Sequence, residues 1–367
     1  MRNDREFGFG IESEFLLCDS KSFRPLWWED LQFDRLNAAL ETVVFEDLAS
    51  PESMELLELE APHRKNMPFV IEGYHMVDAE FRFVDIRPKG VEIRTPVSTQ
   101  LDHCLSGYQK LFERMDQSLK SIGFASVALS HHPIATQFRG PQNKRRHDFW
   151  QWAMQAMTTY GPDINVSVPR DFDRTIDRED FEAKVNAYAP AMAAFSVASP
   201  FRDGKPWGFR GSRMKSVRTH QRSRVAPPIE IHPHEDGRYE FKVFEMSPHL
   251  SDYRAYFLLF LELLLDDSLK LRASDAIRTY DLGGVARFGI GFEEIRQPAA
   301  ELLEKAPAVL KKWGFDSSAL EEFQSRFDRR WTPADGILDQ WDSGMSLEEI
   351  CRGRSVLYPE TQAGSSS

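Results

Sequence analysis

The sequence predicts an α+β fold, and two observations carry that prediction. Three short runs alternate apolar and charged residues: Gly10-Ile11-Glu12-Ser13-Glu14-Phe15-Leu16-Leu17, Val91-Glu92-Ile93-Arg94-Thr95-Pro96-Val97 and Tyr239-Glu240-Phe241-Lys242-Val243-Phe244-Glu245. Strand side chains point alternately to opposite faces, so each run offers one apolar face to a core and directs its charges elsewhere. Between and after these runs lie stretches with helical apolar spacing, the longest at 101–122.

In chain order, the first strand is followed by helical spacing at 31–43. A second acidic alternation at 54–61 carries Glu58 and Glu60; it is a rival for any metal role, with a surface hairpin as the plainer reading. Residues 82–86 and 90–97 read as successive strands joined by an Arg87-Pro88-Lys89-Gly90 turn. The helix at 101–122 sets Leu105, Tyr108, Leu111, Phe112 and Met115 on one side, and 124–129 is a short buried strand ending at His131-His132-Pro133. A helix at 149–159 precedes a strand bearing Asp163 and Asn165, and a helix at 180–197 stops before Ser199-Pro200. The stretch 253–270 is strongly apolar and buried. Gly283-Gly284, Gly289 and Gly291 follow no clear strand and read as a loop rather than a dinucleotide fingerprint. The region 290–358 is helical and charged, with Thr332-Pro333-Ala334-Asp335 as a helix start, and 363–367 is a flexible tail.

Glu12 and Glu14 share one strand face, where adjacent like charges are destabilising unless something positive lies between them. A hard divalent cation such as Mg²⁺ takes carboxylate oxygens and is one answer; a solvated edge strand is the other. Glu92 and Glu240 repeat the pattern on two more strands. If the strands are neighbours, the carboxylates line a trough able to hold two or three Mg²⁺ ions (or Mn²⁺), and with them a nucleotide's phosphates.

These residues resemble the glutamate–cysteine ligase superfamily, in particular its bacterial carboxylate–amine ligase branch. Gly10–Phe15 is similar to the family's Gly-x-Glu-x-Glu-Phe opening, Glu92-Ile93-Arg94-Thr95-Pro96-Val97 to its Glu-x-x-Thr-Pro strand end, and Gly161-Pro162-Asp163-Ile164-Asn165-Val166-Ser167 to its central strand. Ala198-Ser199-Pro200-Phe201, then Gly204-Lys205 and Gly211-Ser212-Arg213-Met214, is similar to a long helix-to-loop signature, and Tyr239-Glu240-Phe241-Lys242 to an Ile-Glu-x-Arg strand. The matches keep the family's order over about residues 8 to 345. The resemblance implies a curved, mainly antiparallel sheet of about six strands forming a funnel with helices outside, as in glutamine synthetase. It implies one catalytic unit over 1–290, with 291–358 as a helical region of the same unit and 359–367 as tail. The implied chemistry is an ATP-dependent, ADP-forming carboxylate–amine ligase that makes a γ-glutamyl-type amide through an acyl phosphate.

The resemblance also distributes roles. Glu12, Glu14, Glu92 and Glu240 would ligate metal; Lys242 and Arg213 would be the cations on the phosphoryl and carboxylate groups; Asp163 and Asn165, with Lys242, would line the nucleotide site. Arg94, Thr95, Arg213 and His132 would face the acid substrate. Thr95 also has a purely structural reading, as does His132, a strand-end histidine bonded locally. The chain departs from the pattern at Asp163, where the branch usually has His, at Lys242 for Arg, at Glu245 for Asp and at Ala198 for Asn. Lys keeps the charge but lacks the two-pronged grip of Arg. The phosphoryl chemistry survives these changes; the identity of the substrates does not follow from them.

Composition narrows the partners. A net charge of −11 over 367 residues argues against a nucleic-acid binder. Arg145-Arg146 and Arg218, Arg222 and Arg224 are local basic exceptions suited to an anionic ligand. No run of 18 apolar residues marks a membrane span, the N-terminus lacks the apolar core of a signal peptide, and Cys18, Cys104 and Cys351 have no metal spacing, which together suggest the reducing cytoplasm. His131-His132 lacks a third zinc ligand at a recognisable spacing, and His232-Pro233-His234 lies in a Pro-rich loop. The expected partners are a small carboxylic acid and an amine, with a homodimer admitted. Three readings stand at this point: the ligase, a small-molecule kinase on the same sheet, and a non-catalytic Mg-nucleotide-binding protein.

Overall fold

The computed structural model of the chain describes residues 6–48, 68–78, 80, 82–142, 147–209, 211–223, 226–231 and 237–360. Its strands are β1 (Gly8–Asp19), β2 (Phe69–Val77), β3 (Phe83–Arg94), β4 (Phe124–Val127), β5 (Pro162–Ser167), the paired β6 (Phe201–Arg202) and β7 (Lys205–Pro206), the paired β8 (Gly208–Phe209) and β9 (Ser212–Arg213), β10 (Ile229–Ile231) and β11 (Arg238–Phe241). Seven of them form one curled, wholly antiparallel sheet: six in the order β10-β11-β5-β1-β3-β2, with β4 paired to β1 off that path. Along one edge β1 changes partner. Gly8–Ser13 face β5, and Leu16–Asp19 face β4. The expected funnel of about six antiparallel strands is therefore the observed fold.

Around the sheet lie α1 (Phe33–Leu40), α2 (Leu101–Ser121), α3 (His147–Ala156), α4 (Arg170–Asp173), α5 (Arg178–Ala194), α6 (Val217–Arg222), α7 (Leu250–Leu265), α8 (Asp275–Phe288), α9 (Arg296–Lys312), α10 (Leu320–Arg329), α11 (Pro333–Asp342) and α12 (Leu347–Gly353). The period-2 alternation explains which face they cover. Phe9, Ile11, Phe15 and Leu17 of β1 join Ile164, Tyr239 and Phe241 in a core with α2, α5, α7 and α9. The opposite face of β1 divides in two. Toward its C-terminal end, Leu16 and Cys18 pack against Ile337 of α11 and Ile350 and Cys351 of α12; toward its N-terminal end it carries Glu12 and Glu14. Thr332 and Asp335 form a reciprocal capping box at the start of α11, as the Thr-Pro-Ala-Asp sequence predicts.

Two segments differ from the sequence expectation. Residues 82–97 do not turn at Arg87-Pro88-Lys89-Gly90; β3 runs straight through, and its pairing with β2 shifts between Glu72 and Gly73, leaving Lys89 as the extra residue of a bulge. Pro88 is tolerated at that irregularity. The glycines at 283 and 284 lie within α8 rather than in a loop, and the Phe292 ring packs where a Gly284 Cβ would be, 2.3 Å from its nearest atom. β2 was not anticipated. The acidic run at 54–61 lies outside the described residues, as do Arg145-Arg146, Arg224, 232–234 and 361–367.

Gly90 packs directly on β1: a Cβ there would stand 2.2 Å from the Phe15 carbonyl oxygen. Gly90→Ala should therefore force the two strands apart at a cost on the order of 3 kcal/mol. The check is a lower urea midpoint at unchanged slope; an unshifted midpoint would show that the contact relaxes freely.

Candidate active site

Registers between strands decide which side chains meet. Glu14 lies directly opposite Glu92, Glu12 opposite Asp163, and Glu230 opposite Glu240. Directly opposed residues share a face, so these six carboxylates, with Glu72 of β2, occupy one side of the sheet. Glu12, Glu14, Glu92 and Glu240, expected together, are together.

The positive groups between them are the chain's own. Lys89, turned onto this face by the bulge, donates to Glu14 at 2.7 Å and to the Thr159 carbonyl at 2.9 Å. Arg94 pairs with Glu92 at 2.8 Å and lies 3.7 Å from Glu12 and 3.8 Å from Glu72. Arg238 lies 3.2 Å from Glu12 and donates to Asn165 Oδ1 at 3.0 Å. Lys242 bonds Asp163 at 2.9 Å and also Glu240, with Glu230 at 3.7 Å. Seven carboxylates thus face four cations, and with all groups ionised the face keeps an excess of three negative charges.

The protonation behaviour follows from burial of that excess. Burial pushes the Glu240 carboxyl up to about 8, with Asp163 adding to the rise and Lys242 opposing it. Burial likewise raises Glu92 well above the usual carboxylate range against the pull of Arg94, and raises Glu14 against Lys89. Asp163 goes the other way: burial would raise it, but Lys242 and Arg222 together hold it below its ordinary value. Lys242 is correspondingly raised, its burial outweighed by Asp163 and Glu240.

This donor set fits a hard cation. It is all oxygen, it is partly buried, and three of its carboxyls are poorly compensated. Among the described residues no three His, Cys, Asp or Glu side chains already converge on one point, because Lys89, Arg94, Arg238 and Lys242 hold the gaps.

The remaining expected residues separate. Asn165 is on the acidic face, its amide 3.5 Å from Glu12. Thr95 ties β1 to the end of β3, its Oγ1 accepting from the Ile11 N–H at 2.9 Å and its own N–H donating to Ile11 at 2.9 Å. His132 is buried and spent on backbone: Nδ1 accepts from Ala135 at 2.8 Å, so Nε2–H donates to the Leu26 carbonyl at 3.0 Å. Burial lowers its pKa to about 4, so it stays neutral. Arg213 is not on the sheet face; it sits half-exposed in the β8–β9 hairpin and pairs with Asp342 of α11 at 2.5 Å. Glu245 is fully buried and accepts from the Ala198 N–H at 2.8 Å, the Ser199 hydroxyl at 2.7 Å, the Thr219 hydroxyl at 2.9 Å and the Ser216 hydroxyl. It fastens the 198–199 segment to α6.

Sequence reading passed over Lys89, Glu72, Glu230 and Arg238. Arg238 continues the Glu240/Lys242 alternation by one step and was legible by phase alone. Lys89 was hidden by the bulge.

Comparison with known proteins bears on the family and the fold. Residues 8–246 match the model of glutamate-cysteine ligase family 2. A Pseudomonas paraeruginosa (strain DSM 24068 / PA7) protein, provisionally named glutamate–cysteine ligase 2, is 24% identical over 153 residues, a match covering 40% of this chain and 38% of the relative's length. The glutamate–cysteine ligase of Francisella tularensis, solved in complex with AMP, superposes with a TM-score of 0.62 at 13% identity over 96% of this chain and 88% of that one. A bifunctional glutathione synthetase from Pasteurella multocida gives 0.58 at 11% identity, over 96% of this chain and 51% of that one. At these identities the structural likeness concerns the fold. No helix among the described residues is long and apolar enough to cross a membrane.

A pH dependence follows for the metal-free protein. The Glu240 carboxyl titrates near 8 when folded and near 4.5 when unfolded, so the folded state holds more protons across that interval. Its contribution to stability is present at low pH and is lost as pH rises from about 4.5 to about 8. Glu240→Gln should flatten this part of the stability–pH curve and make the protein the more stable of the two above pH 8. Parallel curves in denaturant titrations at pH 5, 7 and 9 would contradict it.

Proposed function

The chain belongs to glutamate-cysteine ligase family 2, and from that premise we propose that it is an ATP-dependent carboxylate–amine ligase acting on the acidic sheet face. The observation that carries the reading is the set of directly opposed carboxylates from separate strands, kept short of positive charge. A carboxylate does not condense usefully with an amine in water, so it must be activated. In the proposed reaction an oxygen of the acid attacks the γ-phosphorus of ATP, ADP leaves, and the amine nitrogen then attacks the acyl carbon as phosphate departs.

Glu12, Glu14, Glu92 and Glu240 would hold Mg²⁺, which when bound neutralises charge on the transferring phosphoryl group. Lys242, already placed between Glu240 and Asp163, would hold the departing phosphoryl oxygens. Arg94 and Arg238 lie among the same carboxylates and would be freed for anionic substrate groups as the metal takes their acidic partners. Asp163 and Asn165 line the stretch between nucleotide and acceptor. Arg213, paired with Asp342, is given no contact with the substrate here.

An amine-by-acid matrix scored for ADP release and product mass tests the reading, with hydroxylamine trapping any acyl phosphate as the hydroxamate. Hydroxamate should appear with one or more amino or dicarboxylic acids; ATP hydrolysis without it would refute the ligase. Glu12→Gln, Glu14→Gln and Glu240→Gln should each fold and lose turnover by on the order of 10²–10³. Lys242→Met should retain weakened nucleotide binding while acyl-phosphate formation falls steeply. Unchanged turnover in all three Glu variants would remove the metal assignment.

A further inference from the structure

The apolar side chains that α8 leaves in water lie on one face of the helix. Leu282, Val285 and Ala286 are buried where α8 packs on α5 and α6. Ile277, in contrast, is 53% exposed, Tyr280 69% and Phe288 45%. Steps of three and eight residues along a helix return to nearly the same face, so these three form one stripe. Phe292 joins it: its ring fills the space over Gly284, 6.2 Å from Phe288 and 6.4 Å from Tyr280. Val44, Val84 and Val97 are also exposed, each on a different segment. Single apolar residues of that kind are ordinary on a protein surface, whereas a joined aromatic stripe marks a contact surface.

The charges around the stripe are unevenly met. Asp275 has Arg278 at 2.6 Å, and Glu293 has Arg330 at 3.8 Å. Asp281 and Glu294 pair with no basic group among the described residues, and they act on each other: burial first, and Glu294 second, raise the Asp281 carboxyl. Two such carboxylates are stabilised by a cation brought to them from outside. The same face carries one. Arg287 stands over the Phe288 ring at 4.9 Å, six residues from Asp281 and on the other flank of the stripe. A surface with acids on one flank and a base on the other complements itself, as a two-fold contact between identical chains requires. At a net charge of −11 two copies repel at a distance, so their contact needs opposite charges of this kind at close range.

We propose that this face of α8 binds the same face of a second copy of the chain. The two-fold axis would set Asp281 of each chain against Arg287 of the other and pack Ile277, Tyr280 and Phe288 between them. The contact lies outside the acidic sheet face, and its test needs no turnover. Sedimentation velocity of the full chain from about 1 to about 100 μM should show a growing species of twice the chain mass. Tyr280→Glu and Ile277→Asp, at exposed positions, should keep the wild-type circular dichroism spectrum and weaken association about tenfold or more. Asp281→Arg and Arg287→Glu should each weaken self-association as well, because each sets like charge against like. An equimolar mixture of those two variants should associate about as strongly as the wild type, since both contacts are then of opposite sign. A wild-type chain that stays monomeric at about 100 μM would overturn the proposal. So would a dimer unmoved by Tyr280→Glu, or a mixture of the two charge variants no more associated than either alone.

Discussion

Three pairs of carboxylates stand directly opposite one another across neighbouring strands, and the rest of the molecule is arranged so that this can persist. Like charges in that position repel, and Glu92 and Glu240 are each only 4% exposed, which adds a desolvation cost to the repulsion. Four basic side chains relieve the repulsion without cancelling it. They hold the acidic groups at contact distance while leaving the face negative. Such a face is unfavourable by itself and persists because the opposite side of the same strands is almost wholly apolar, Ser13 excepted. Phe9, Ile11, Phe15 and Leu17 in β1, and Tyr239 and Phe241 in β11, are part of a core that extends to Leu357 near the C-terminus. Burial there drives the sheet to form whatever its other face carries.

Glu245 shows the same economy in neutral terms. A fully buried carboxylate is tolerable when its lone pairs are filled, and here one backbone N–H and three hydroxyls fill them. The result is that α6, only six residues long, is held in one orientation by a residue from beyond the end of β11. The basic groups of α6 therefore inherit their placement from the sheet.

Much of this was legible in the sequence because a strand's period admits one reading of its faces. Glu12, Glu14, Glu92, Glu240 and Lys242 were assigned to a face before their strands were known to be neighbours, and the pairing put them on the same side. The segments that resisted reading are those where local chemistry and tertiary packing disagree. Arg87-Pro88-Lys89-Gly90 has the composition of a turn and the conformation of a bulged strand, since pairing with β2 along its length and with β1 from Gly90 onward holds it extended. Gly283-Gly284 reads as a loop, yet it lies within α8, and the Phe292 ring takes the space of a Gly284 Cβ. Arg213 and His132 carry residue types that suit an active site, and their bonds to Asp342 and to the backbone of Leu26 and Ala135 became visible only in three dimensions.

The bulge at Lys89 has a meaning for how this chain can vary over time. Alternation in β3 is counted from that point: Gly90, Glu92 and Arg94 face the carboxylates, and Val91 and Ile93 face the core. Gain or loss of one residue between the bulge and Arg94 would exchange the two sets, sending charge inward and aliphatic groups to water. Substitutions along β3 alter one contact at a time, whereas a single-codon insertion or deletion inverts the whole strand. Length, more than composition, is what inheritance must conserve in this stretch.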